Sequence, residues 1–222
     1  MRDAYYDQLD SIVDDLVAMT AAVQTAVHEA TRALLKADAQ AAESVISGDR
    51  DIDASRELIE SRALQLLATQ QPVATDLRQL VATLRMVADL ERIGDLSVHI
   101  AKVSRLRAPE IAVPGPLQPT IAEMADVADK MIGAASRIVA DRDVAAAAVI
   151  ESDDDEMDML RRSLFRVLLS DDWDHGVEPA IDLALLGRYY ERIGDHAVGV
   201  ARRVVFLVTG DVPAPPSSTQ PV

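Results

Sequence analysis

The sequence contains no cysteine, and that absence excludes disulfides, thiolate metal sites and cysteine nucleophiles together. Aromatic residues are nearly missing as well, at 3% of 222, although 49% of the chain is hydrophobic. A core of that size built from aliphatic side chains and alanine favours packed helices over a sandwich. Basic residues are in short supply: 22 Lys and Arg stand against 37 Asp and Glu, a net charge of −15. Such an excess argues against wrapping nucleic acid or lying on anionic lipid, and makes cations and basic protein surfaces the natural counterparts. No stretch approaches the roughly 18 apolar residues of a membrane span, and MRDAYYDQLD carries no apolar signal core. The expectation is a soluble, cytoplasmic protein. Also missing are a glycine-rich phosphate loop, a nucleophile elbow and any triad-like grouping, so no enzyme is expected.

What is present is organised by ten prolines. Four fall in PEIAVPGPLQP and four in VPAPPSSTQPV, leaving Pro72 and Pro179 where helices could open. Between these breaks apolar residues recur at three and four positions, the helical period. The first stretch divides at Asp38, a candidate N-cap, into helices of about 4–37 and 38–70, with a third from Pro72 to about Leu106. In the second, Asp143 caps a helix to about Leu169, DDWDHG turns the chain, and Pro179 opens a last helix ending near Gly210. The expected organisation is all-α, two tandem three-helix-bundle repeats of long helices. Repeat 1 covers 1–108, a proline-rich linker 109–119, repeat 2 120–210, and a disordered tail 211–222.

The repeat is written into the sequence itself. Glu91-Arg92-Ile93-Gly94-Asp95 recurs as Glu191-Arg192-Ile193-Gly194-Asp195, in the third helix of each half. In the second helices, Asp49, Ile52, Asp53, Arg56 and Ile59 have the spacing of Asp154, Met157, Asp158, Arg161 and Leu164. The offset is 105 residues for the second helices and 100 for the third, so the connection between them is expected to be five residues shorter in the second copy.

Written in heptads, the third helix puts Glu91 in the row of Leu77, Leu84 and Val98, in place of a core residue, with Asp95 one turn on. Glu191 and Asp195 take the same places in the sixth helix. Asp49 and Asp53, then Asp154 and Asp158, form the matching pairs in the second and fifth helices. Eight carboxylates beside helix seams repel one another unless protons, arginines or a cation neutralise them. Hard cations collect several carboxylates at once, and facing helices of a bundle can present them. Gly94 and Gly194, unfavourable inside a helix by about 1 kcal/mol each, suggest close approach of another backbone beside the acids. The alternative is an ion-pair network supplied by Arg56, Arg92, Arg161 and Arg192. Spacing leaves both open. It does disfavour a di-iron oxidase, which needs Glu-x-x-His where this chain has glycine at the third position.

Other features carry less. His99 and His196, next to the motif aspartates, are kept as outer partners. Trp173 reads as a packing anchor in its corner, and the acidic run 151–156 as a solvated face with Asp154 the exception.

Two three-helix repeats, each with Leu/Tyr-Glu-Arg-Ile-Gly-Asp and an earlier Asp-x-x-Ile/Met-Asp, resemble the PhoU family of phosphate-specific transport accessory and regulatory proteins. The likeness covers about residues 5–210 and includes Asp38, Ala42, Val45 and Asp76-Leu77-Arg78. It implies a non-enzymatic negative regulator of phosphate uptake and phosphate-starvation signalling. As partners it implies the ATPase subunit of an ABC phosphate transporter and a phosphate-sensing histidine kinase, with the chain itself a homodimer. It further implies metal ions, among them iron, zinc, manganese or magnesium, at Glu91 and Asp95 and at Glu191 and Asp195. Asp49, Asp53, Asp154 and Asp158 extend that set on the heptad argument. The family usually has asparagine four residues after the motif aspartate; this chain has His99 and Gly199. A protein that stores or buffers metal is the alternative function.

Overall fold

The computed structural model describes residues 2–211; the tail expected at 211–222 lies, beyond Asp211, outside the described residues. Six helices account for nearly all of them: α1 Arg2–Lys36, α2 Ala39–Gln70, α3 Ala74–Arg107, α4 Gln118–Asp141, α5 Val144–Leu168 and α6 Val177–Thr209. No strand occurs among the described residues. Asp38 caps α2 by accepting the Ala41 N–H at 2.9 Å, and Asp143 caps α5 by accepting those of Ala145 and Ala146 at 2.9 and 3.0 Å. Gly210 closes α6 in the left-handed conformation, donating to Phe206 O at 2.9 Å.

Two prolines act differently from expectation. Pro72 stands ahead of Val73, the N-cap of α3, in a turn where Gln71 and Ala74 both take positive φ. Pro179 lies inside the first turn of α6, because Gly176 at φ +88° starts that helix earlier. Pro119 likewise sits in the first turn of α4, after a short 3-10 turn at Gly115–Leu117. Ala112, Val113 and Leu117 are buried, so this connecting segment is packed against the core.

Helices α1, α3, α4 and α6 pack together at the centre, α2 against α1 and α3, and α5 against α4 and α6. The two repeats therefore share one continuous core. Its α1 stripe of Leu9, Ile12, Leu16, Met19, Val23, Val27, Ala30 and Leu34 keeps the three-and-four spacing, each large member worth about 1.5–3 kcal/mol on burial. The third helices run antiparallel: Arg107 at the end of α3 donates to Asp182 (2.6 Å) and Glu178 (3.0 Å) at the start of α6. At the other end Gly210 comes up against Arg78.

The five-residue difference between the repeats is not taken from the connection. That connection is longer in the second copy, residues 169–176 against 71–73, and the deficit comes out of α5 and the first part of α6. Trp173 organises the longer corner: its ring packs on the core and its indole N–H donates to Gly176 O at 2.7 Å.

Candidate functional site

Helices packed antiparallel bring their acids opposite one another, α2 against α3 and α5 against α6. Asp49 feels Asp53, Asp95 and Glu91 as nearby charges, and burial followed by that repulsion holds its carboxyl above the ordinary range. In the second repeat burial and then the charges of Asp195 and Asp158 push Asp154 to about 6.

The motif glycines make this packing possible. A Cβ on Gly94 would lie 3.2 Å from Ile52 Cγ2 and 3.6 Å from Asp49 Oδ1; one on Gly194 would lie 3.2 Å from Asp154 Oδ1 and 3.3 Å from Met131 Sδ. What approaches is side chains, the acids among them, rather than the backbone expected from sequence. The closest group is Ile52 at Gly94 and Asp154 at Gly194.

The eight acids divide evenly. Glu91 and Asp95 meet Arg92 at 3.7 and 2.8 Å, Asp158 meets Arg162 at 3.2 Å, and Glu191 meets Arg161 at 3.5 Å as well as Arg188. The side chains of Asp49, Asp53, Asp154 and Asp195 form no hydrogen bond or ion pair with any described residue. Of the arginines expected to neutralise the motif, Arg92 and Arg161 do so. Arg56 turns to Glu60 at 3.0 Å instead, and Arg192 forms no ion pair with the described residues. Arg188 and Arg162 were missed, although both stand one helical turn from the acid they pair with.

The repeats are not equal. Glu191 is buried, its side chain 12% exposed and held by two arginines, whereas Glu91 is 23% exposed at the edge of its seam and does not occupy a core place. The rows do not differ, Leu77 and Val177 both being exposed and Leu84 and Ala184 both half-buried; what differs is that Arg161 and Arg188 meet Glu191 where Arg92 alone meets Glu91. The histidines touch no motif acid. His99 stacks on Tyr189 with centroids 5.2 Å apart, and His196 Nδ1 lies 3.0 Å from Asp89 Oδ1, both across the α3–α6 contact. In the acidic run, Asp153 is buried against Lys130 at 2.7 Å, so Asp154 is not the sole exception there.

As a cation site the set fits in kind and charge, being all carboxylate oxygen. It does not fit in number: among the described residues no group of three or more His, Cys, Asp or Glu could hold a metal ion. The unpartnered donors come in twos, Asp49 with Asp53 and Asp154 with Asp195, each pair repelling.

The raised carboxyl of Asp154 has a stability consequence. A carboxyl that titrates near 4 in the unfolded chain and near 6 in the fold favours folding fully below pH 4, and that contribution is lost as pH rises through 6. In chelator-treated protein Asp154→Asn is expected to gain on the parent between pH 5 and pH 7.5 by up to about 1 kcal/mol, after discounting for the group's exposure. Urea unfolding at the two pH values checks this; an equal difference at both would contradict it.

The family model described as PhoU domain matches residues 16–104 and 121–204, one copy for each repeat. The chain is 45% identical over 213 residues to the phosphate-specific transport system accessory protein PhoU homolog 2 of Mycobacterium tuberculosis, covering 96% of this chain and 100% of that one. It is 44% identical over 213 residues to homolog 1 of Mycobacterium leprae, covering 96% of each. Among solved structures, the crystal structure of PhoU from Pseudomonas aeruginosa superposes with a TM-score of 0.84 at 27% identity, covering 93% of this chain and 100% of that one.

Proposed function

The chain belongs to the PhoU family, and on that footing we propose that it is a regulatory accessory protein of phosphate transport. It restrains phosphate uptake and phosphate-starvation signalling by binding, as an adaptor between the ATPase subunit of an ABC phosphate transporter and the cytoplasmic part of a phosphate-sensing histidine kinase. The supporting observation is likeness along the whole length: both repeats match, and relatives named as phosphate transport accessory proteins align over 96% of the chain. Among the described residues no helix is long and apolar enough to cross a membrane, so contact with a transporter runs through its partner subunits. The homodimer and the cytoplasmic location implied by the resemblance belong to the same proposal. Deleting the gene tests it: a phosphate-starvation reporter is expected to switch on in phosphate-replete medium and to be silenced by the restored gene. A reporter that stays off in the deletion strain, with no second copy of the gene, would sink the reading.

A second reading, favoured by the four acids without partners, is that these acid pairs take up cations, with the chain storing or buffering metal. A bound cation would supply charge neutralisation at Asp49 and Asp53 or at Asp154 and Asp195, and its binding would add to stability. At tenfold excess over Kd the gain is about 1.4 kcal/mol, read as a rise in Tm when manganese is added to chelator-treated protein. Asp154→Asn with Asp195→Asn should abolish the second repeat's share. No change of Tm would leave the acids to protons and arginine.

A further inference from the structure

The surface at the α5–α6 corner combines arginines with exposed apolar residues on an acidic molecule. Three arginines fall within six residues of α5, Arg161, Arg162 and Arg166, and line a hollow of about 470 Å³ with Phe165 and Leu169. Phe165 and Leu169 are shared with a second, apolar hollow of about 490 Å³ that continues over Trp173, Val177, Ile181 and Ala184. Leu169 is 81% exposed, Val177 75% and Ile181 53%, an apolar patch of a kind that marks a binding face. Arg166 forms no hydrogen bond or ion pair with the described residues. The Arg161 guanidinium lies over the Phe165 ring, 5.7 Å from its centroid, and keeps the ring at the boundary between the two hollows.

The first repeat serves as an internal control. At the 105-residue offset of the two second helices, Arg162, Phe165 and Arg166 are replaced by Glu57, Glu60 and Ser61, while Leu169 is matched by the exposed Leu64. An exposed leucine is therefore common to both repeats, within α2 in the first and at the C-cap of α5 in the second. The aromatic ring flanked by arginines, Arg166 unpaired and Arg162 held by Asp158 at 3.2 Å, is confined to the second, where the shortened α5 and the longer corner bring Trp173 and Val177 beside it.

We propose that the groove formed by α5 and the start of α6 is a docking site for an amphipathic, acidic helix of a partner protein. Its apolar face fills the hollow over Phe165, Leu169 and Ile181, and its carboxylates meet the unpaired Arg166 and share Arg162 with Asp158. Charge decides the class of partner, since arginines grouped on a chain of net charge −15 select an acidic one. Helix-in-groove recognition needs apolar anchors one helical turn apart, and the two adjoining hollows provide their places. Asp171, Asp172 and Asp174 are exposed in the corner that follows Leu169, and their charge favours an occupant whose acidic residues lie toward Arg166. The proposal stands on this surface alone and does not depend on the phosphate reading.

The probe is a fluorescein-labelled 18-residue designed helix, with leucines at helical spacing and glutamates flanking them, read by anisotropy against the full chain. A second peptide carries lysines in place of the glutamates. Saturable binding of the glutamate peptide is expected, at least tenfold tighter than the lysine peptide and weaker at high salt. Arg162→Glu with Arg166→Glu should reverse that preference, and Arg166→Glu alone should reduce it. Leu169→Ser with Ile181→Ser should weaken both peptides at least tenfold. Absence of binding, or binding unchanged by these variants, overturns the proposal. So does sedimentation showing that Leu169→Ser converts a dimer to a monomer, because the groove is then covered by a second copy.

Discussion

Tyr190→Ala is expected to lower the free energy of unfolding by about 4 kcal/mol, measured by urea denaturation. Tyr190 is the largest of the fully buried side chains and its ring lies inside the shared core. Its hydroxyl stands 2.7 Å from that of Thr31 on α1, 159 residues away in the chain. Because Thr31 spends its own proton on Val27 O at 2.9 Å, the tyrosine is the donor in that bond and the threonine oxygen accepts. Burial pushes the phenol up, only partly offset by Thr31, so it stays protonated and the bond persists at all working pH values. Tyr190→Phe keeps the ring and leaves Thr31 one donor short, a loss of about 1 kcal/mol. An alanine variant that lost no more than the phenylalanine one would contradict this packing.

The next largest effect separates the repeats. Glu191→Ala removes the common partner of Arg161 and Arg188, and Arg161, 23% exposed, already has a buried Nε without a hydrogen-bond acceptor. Stranding a charge there is expected to destabilise the fold by about 3 kcal/mol. Glu91→Ala, at the identical motif position, removes a contact at 3.7 Å to the exposed Arg92, and a change below about 1 kcal/mol is expected. Equal losses would mean that the two motifs do the same structural work, which the different burial of the two glutamates denies. The comparison also bears on the acids' neutralisation, since arginine holds Glu191 in place while Asp154 and Asp195 beside it stay unpaired.

Local physics explains how much of this could be read in advance. The helices announce themselves through apolar spacing, and Asp38 and Asp143 mark starts because a cap acts on N–H groups two or three residues ahead. The doubled Glu-Arg-Ile-Gly-Asp motif led to the correct repeat and family. Where α3 and α6 begin was misplaced, because Val73 and Gly176 start those helices on backbone conformation and the nearby prolines do not. That Glu191 is buried and Glu91 is not depends on Arg188, for which the first repeat has Ala88, and on how closely α5 approaches Gly187. A Cβ on Gly187 would lie 3.0 Å from Leu164 Cδ2, a fact of packing with no trace in spacing. The Thr31–Tyr190 and Arg107–Asp182 contacts join distant parts of the chain and leave no local signal. The longer corner at 169–176 was hidden because a shorter α5 and an extended loop offset one another in the motif arithmetic.

The proposed adaptor role is tested most directly by calorimetric titration of the full chain, manganese-loaded and chelator-treated, with the phosphate transporter's ATPase subunit and with the sensor kinase's cytoplasmic fragment. Saturable binding to both at physiological salt is the predicted result. Heats indistinguishable from dilution for both partners in both states would contradict it.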